Sequence, residues 1–313
     1  MSVHSDRATW RHPISISLLS SHGNEIDMLD VLDLEVEALL ANIKKGNPEI
    51  FSNREIFTPI EKIARALNID LTTSKHLKAS GTTRYRGAKF QVTINTEAQH
   101  YFRQRFTIAH EIGHVCLNQL AGPFTYHELA QTKDTYFEEE YLCDLFASSI
   151  LMPKSVIKRY LEDERDISLQ TVSWIASDFK VSKSAVLRRL ACVTKSLLLF
   201  WSEVENPLTE GSEKTERITS IYPNLYQLSK HYIPLYCTAS DQRFTPNLIA
   251  DCLETESSVT GIVKITGLGS LPAGDYKIHN IFFNRWAKNA IPSDYSRGVQ
   301  RLCDIATLIE LEA

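Results

Sequence analysis

The sequence predicts an α+β fold, and three observations carry that expectation. A helix-compatible apolar frame surrounds His110-Glu111-Ile112-Gly113-His114. Just before it, residues 80–97 alternate and are rich in Thr, Tyr, Phe, Val and Ile, the pattern of a hairpin. Far downstream, Gly261–Thr266 and Tyr276–Phe283 alternate again, placing further strands in the last third of the chain. With 313 residues the chain is long enough for two domains. Its 43% hydrophobic and 23% charged content is that of a soluble globular protein. No apolar run reaches the ~18 residues of a membrane span, and Ile14–Leu19 is too short and too polar in its flanks for a secretory signal. The net charge of −4 argues against a chain built mainly to coat nucleic acid. Six cysteines without a C-x-x-C pair read as reduced core thiols in a cytoplasmic protein.

Taken in order, residues 1 to about 25 read as irregular. From Glu25 to Lys45 the spacing of Met28, Leu29, Leu32, Leu34, Val36, Leu39, Leu40 and Ile43 predicts a helix, broken at Gly46-Asn47-Pro48. A shorter helix follows over Pro59–Leu67 and ends at Asn68. The hairpin of 80–97 turns at Arg86-Gly87.

The next helix carries chemistry. Residues four apart on a helix lie one above the other, so His110 and His114 present two imidazoles to one point. That is what a tetrahedral Zn²⁺ site needs, and Glu111 can reach a water at the open position as general base. Two solvated histidines on a surface helix are the bland alternative. Phe106, Ile108, Ala109, Ile112, Val115 and Leu117 weigh against it, because a buried histidine needs a partner. Gly113 is out of place in a helix interior, and close approach of another backbone accounts for it.

A third ligand is required. Leu142, Leu145, Phe146, Ile150 and Leu151 predict a helix closed by Pro153, with Glu140 and Asp144 on one face. Glu140 is the simplest ligand and Asp144 a carboxylate taking the outer N–H of a ligating histidine, with Asp144 as the rival ligand. An acidic helix N-terminus explains Glu138 to Glu140 without any metal, but not Asp144 amid apolar residues. Cys143 either packs as a small residue or faces the metal and holds it inactive.

These two segments, Arg105-Phe106-Thr-Ile-Ala109-His110-Glu111-Ile-Gly113-His114 and Glu140…Cys143-Asp144-Leu-Phe146-Ala147…Leu151-Met152-Pro153, resemble the paired motifs of the ImmA/IrrE zinc metallopeptidases. Cys143 stands where the family usually has Ala. The resemblance covers roughly residues 55 to 195. It implies a zincin-like peptidase domain with zinc (manganese is the alternative), His110, His114 and Glu140 as ligands, Glu111 as catalytic base and Asp144 behind the ligands. In the same reading Pro59–Ile69 is similar to the family's first helix and Ala88–Asn95 to the edge strand that pairs with substrate. The implied substrate is a helix-turn-helix repressor protein, whose cleavage switches on defence or repair genes.

Beyond Pro153, Leu169–Leu190 looks like a helix-turn-helix. Ala176 sits at the tight contact, Val181 plugs the turn and Ser182 caps the second helix. Lys180 replaces the usual turn glycine, and Lys183, Arg188 and Arg189 are placed to meet phosphates. Glu203–Arg217 is polar and reads as a linker, and residues 297–312 as a helix, so that the C-terminal part is a small α+β sensor module. GAF-like sensors accompany some family members, and length and domain order are similar to the CapP-type peptidases of anti-phage CBASS loci. There, Lys277, His279, Arg285, Trp286 and Lys288 interleave charge with aromatics as grooves for single-stranded DNA do, suggesting an activator; an ordinary solvated strand is the alternative. The expected domains are 1–54, 55–160 (peptidase), 161–198 (helix-turn-helix) and 199–313 (sensor). Candidate oxyanion donors are Tyr126, His127, Tyr136 and Tyr141. Against the peptidase stand two other readings: a DNA-binding regulator with a structural metal, and a protein that binds a repressor without cutting it.

Overall fold

A computed structural model describes residues 10–23, 26–51, 56–86, 89–97, 100–120, 133–162, 167–205, 214–222, 259–265, 274–285 and 300–309. The described chain forms two compact units, one of residues 1–157 with 176–182, the other of 158–175 with 183–313. No helix among the described residues is long and apolar enough to cross a membrane.

The first unit opens with a helix where the sequence reads as irregular. α1 (Pro13–Ser21) starts on a proline at its first turn, and the His12 side chain accepts from Ile14 N–H as its N-cap. Its apolar residues Ile14, Leu18 and Leu19 are buried, so tertiary packing supplies what its short length does not. α2 (Met28–Gly46) is capped by Asp27, carries Lys44 and Lys45 at its C-terminal end, and buries Met28, Leu29, Leu32, Val36 and Ile43. Leu34, counted in the same stripe, is half exposed. α3 (Ile60–Ala66) ends as expected at Asn68, which takes φ 57°, a left-handed value that asparagine tolerates better than most residues.

β1 (Ile69–Ser74), β2 (Gly81–Arg86) and β3 (Lys89–Asn95) form a sheet of order β1-β3-β2. β2 and β3 are the predicted antiparallel hairpin, with Gly81 opposite Ile94 and Arg86 opposite Lys89. β1, not foreseen, pairs parallel to β3 from Ile69–Phe90 to Ser74–Asn95. Residues 89–95 of the segment expected at the edge are therefore the centre of this sheet. β2 is the edge strand on the side of the next helix.

That helix is α4 (Tyr101–Leu120), and it packs lengthwise on α5 (Lys133–Leu151). Gly113 makes the approach possible: a Cβ there would lie 3.3 Å from both Cys143 Cα and the Phe146 ring. Arg105 anchors the start of α4. Its buried guanidinium donates to Thr58 C=O at 2.9 Å and lies over the rings of Phe57 and Tyr101. On the other side of α5, Ser149 donates to Asp33 and Lys154 pairs with Asp30.

α6 (Lys154–Glu162) follows, then α7 (Leu169–Phe179) and α8 (Lys183–Val193), joined by a three-residue turn. The turn closes with Val181 N–H on Ala176 C=O and Lys180 N–H on Ser177 C=O, and Val181 is buried beneath it. Lys180 takes φ 54°, the conformation for which glycine is usual, and its ammonium sits 3.5 Å from the centre of the Phe57 ring. Arg189 is buried in α8, which removes it from the residues that could meet a phosphate; Lys183 and Arg188 are exposed.

β4 (Leu197–Glu205), β5 (Lys214–Tyr222), β6 (Val259–Ile265), β7 (Gly274–Arg285) and β8 (Gln300–Ile309) make a second sheet. Its order is β5-β4-β8-β7-β6 and every pairing in it is antiparallel. Two expectations are corrected. Residues 300–309 are a strand, not a helix: Cys303, Ile305, Thr307 and Ile309 recur every second residue and three of them are β-branched. The charged ends of the proposed linker, 203–205 and 214–217, are paired strand residues, Glu203 opposite Glu216.

Candidate metal centre

α4 supplies His110, Glu111 and His114; α5 supplies Glu139, Glu140 and Asp144. These six line a cleft of about 590 Å³ whose opposite wall is the β2 edge, Ala79 to Thr83. Each histidine is held by its inner nitrogen. His110 Nδ1 lies 2.8 Å from Asp144 Oδ1, and His114 Nδ1 lies 3.0 Å from Glu139 Oε1. With Nδ1–H donated to a carboxylate, each ring presents the lone pair of Nε2 outward. Both Nε2 atoms face Glu140, at 3.4 Å from one of its oxygens for His110 and 3.5 Å from the other for His114.

Those two distances test whether a cation fits. They are longer than ordinary hydrogen bonds, and two ligands bound tetrahedrally to one zinc ion stand about 3.4 Å apart. Two imidazole nitrogens and a carboxylate are also a donor set that zinc accepts. Cys143 offers a second set, its sulfur and one nitrogen of each histidine lying within 4.8 Å of one another. Glu140 faces the open cleft, whereas Cys143 is fully buried against α4, where burial raises its thiol to about 11.

The electrostatics point the same way. Burial opposes charge on His110, but Asp144 and Glu140 outweigh it and lift the ring to about 9. His114 is raised too, against burial, by Cys143, Glu139 and Glu140. Burial would raise Glu139, yet His114 and His12 bring it down to about 2. Glu140 is held well below the usual carboxylate range by the two histidines. The three carboxylates thus favour positive charge at the cluster, carried by the rings themselves when no cation takes the place of the Nε2 protons.

Glu111 is almost fully buried, and its Oε2 accepts from Thr83 Oγ1 at 2.6 Å. Gly81 makes room for it: a Cβ there would meet Glu111 Oε1 and Thr107 Cγ2, each at 2.6 Å. Neither Thr83 nor Gly81 was foreseen, since only the strand's placement against α4 reveals them. The acidic run resolves into three separate jobs. Glu138 is buried and accepts from the backbone N–H of Arg11 and His12 and the Ser15 hydroxyl, Glu139 holds His114, and Glu140 faces the ring nitrogens.

Among the candidate oxyanion donors, Tyr136 lines the cleft beside Glu140, whose charge raises its phenol. Tyr141 stacks on Trp10 instead, with ring centres 6.4 Å apart, and Tyr126 and His127 lie outside the described residues. Of the C-terminal candidates, Lys277 is half-buried on β7, Arg285 ends that strand, and Trp286 and Lys288 lie outside the described residues. His279, read with them, is buried and not on a solvated face.

Comparison with known proteins agrees with the first unit's architecture. Residues 64–191 match the IrrE N-terminal-like domain, a peptidase M78 family. No curated protein matches the chain in sequence. Among solved structures, a Mycobacterium tuberculosis transcriptional regulator has a similar fold, with a TM-score of 0.50 and 11% identity over 95% of this chain and 80% of that one. The matched segment runs from the end of α3 through both helices of the histidine–carboxylate cluster to α8, so that this part of the chain is similar to the IrrE N-terminal-like domain of the ImmA/IrrE-type metallopeptidases.

Proposed function

We propose that the chain is a zinc-dependent endopeptidase that cleaves a specific transcriptional repressor in response to a stress signal such as DNA damage, and so derepresses defence or repair genes. One observation carries the catalytic part: two Nε2 lone pairs and the Glu140 carboxylate converge at ion-bridging distances, with Glu111 in the same cleft. His110, His114 and Glu140 would hold the metal, and Asp144 and Glu139 would keep the two rings in the ligating tautomer. Glu140 is preferred to Cys143 because it meets both rings from the open side of the cleft.

A bound zinc ion supplies a Lewis acid and lowers the pKa of its water to about 7. The chain does the rest. Glu111, oriented through Oε2 by Thr83, takes the proton of the attacking water and returns it to the leaving amide nitrogen. Tyr136 is positioned to donate its hydroxyl to the carbonyl oxygen as charge develops there. Substrate lies extended along β2, which borders the cleft and carries no other described strand on that side. The match of residues 64–191 to a peptidase family domain supports this chemistry; the repressor as substrate rests on the family resemblance.

Glu111→Gln decides between cleavage and binding alone. The variant should keep its zinc and lose repressor cleavage by at least about 10²-fold, the usual contribution of a general base. An immunoblot of a helix-turn-helix repressor encoded beside this chain, co-expressed with either form before and after DNA damage, reads the result. Fragments that persist with the variant would sink the mechanism. Derepression without fragments would favour a protein that sequesters its repressor.

A further inference from the structure

α1 begins against the acidic start of α5, and its first residues do more than cap a helix. His12 Nδ1 accepts from Ile14 N–H at 3.2 Å, which leaves the ring proton on Nε2. The ring is completely buried, and Nε2 has no hydrogen-bond partner. It faces Glu139 Oε2 at 3.6 Å, just beyond a formed hydrogen bond. The other oxygen of Glu139 holds His114 Nδ1. Next to it on α5, Glu138 takes the backbone N–H of Arg11 and His12 and the hydroxyl of Ser15, which fixes the ring's position against α5.

A residue needed only as N-cap would be Ser, Thr or Asp, which carry no side-chain N–H, or Asn, which is too short to place one where Nε2 lies. An unpaired buried donor is disfavoured, so a histidine here implies a use for Nε2. We infer that His12 is a positioning residue of the metal centre, acting on His114 through Glu139. It steadies the carboxylate that sets the His114 tautomer, so that the ring itself, not the docking of the helix as a whole, bears on metal affinity. This rests on the zinc-site reading above.

The test is zinc affinity of the full-length protein, measured by competition with a chromogenic chelator. His12→Asn keeps an N-cap acceptor and loses the Nε2 donor, so its metal-free melting temperature should stay near wild type. Its zinc Kd should rise about tenfold, the lower end for residues behind metal ligands. Glu139→Gln should weaken zinc by about 10–100-fold, and adding His12→Asn to it should weaken binding no further, since both act through one carboxylate. Ser15→Ala loosens the same docking without touching the ring and should leave zinc affinity unchanged. If His12→Asn fails to fold, His12→Gln takes its place in every arm. Wild-type affinity in the His12 variant, additivity with Glu139→Gln, or an equal loss in Ser15→Ala would each overturn the inference. A wild-type protein that binds no zinc would instead remove the metal reading beneath it.

Discussion

At the scale of single residues, the two histidines of the candidate site were legible because their spacing has one helical consequence, and Asp144 because a carboxylate amid apolar residues needs a reason. Glu139 was not. Three consecutive acids on α5 point in three directions, and only the rotation of α5 against α4 decides which one meets His114. The carboxylates behind the rings should matter nearly as much as the ligands. Asp144→Ala should lower zinc affinity by about 10–100-fold, read by the same chelator competition, while the fold stays intact. Gly81 makes a different prediction. Its missing side chain lets the edge strand pass beside Glu111. Gly81→Ala should destabilise the protein by about 1–3 kcal/mol through overpacking and displace the Glu111 carboxylate. Zinc content should hold while kcat falls; a variant with wild-type kcat would show that the strand does not position the base.

At the scale of elements, periodicity found α2, α3, the hairpin, α4 and α5, because each carries its own apolar pattern. It missed α1, whose nine residues are helical through a proline start, a histidine cap and burial of Ile14, Leu18 and Leu19. It missed β1, and with β1 in place the strand that the family resemblance offers as the edge is the central one. The turn between α7 and α8 shows how a local misfit is tolerated. A non-glycine residue at left-handed φ is disfavoured by roughly 1–2 kcal/mol, and the contact of Lys180 with the Phe57 ring returns about 0.5–2 kcal/mol. The two nearly cancel, which gives a double-mutant cycle. Lys180→Gly alone should change stability by less than about 1 kcal/mol. Phe57→Leu should destabilise the wild type measurably more than it destabilises the Lys180→Gly background. Equal effects of Phe57→Leu in chemical denaturation of both backgrounds would mean that the turn draws nothing from the ring.

At the scale of the whole molecule, the candidate site belongs to one of the two compact units, and the described elements that build it come from four separated stretches: 11–15, 79–83, 103–114 and 136–144. The sequence motifs cover only the last two of these. Strand and N-terminal helix reach the centre through Thr83 and Glu138, contacts that no spacing rule encodes because they depend on tertiary placement. A ligand that binds only the folded site stabilises whatever must be folded to make it, by about 4 kcal/mol at a thousandfold excess over Kd. Zinc should therefore slow amide exchange in all the elements that converge on the cluster, not in the motif helix alone. Hydrogen exchange of the zinc-loaded and chelator-treated protein reads this directly. Protection should rise in α4, in the first turns of α5, in β2 and at 11–15, while the strands β4 to β8 of the other unit exchange as before. A gain confined to α4 would mean that the site closes without the strand and the N-terminal segment. A gain that extends to β4–β8 would mean that the second unit responds to the metal, and would make that sheet the place to look for the regulatory signal.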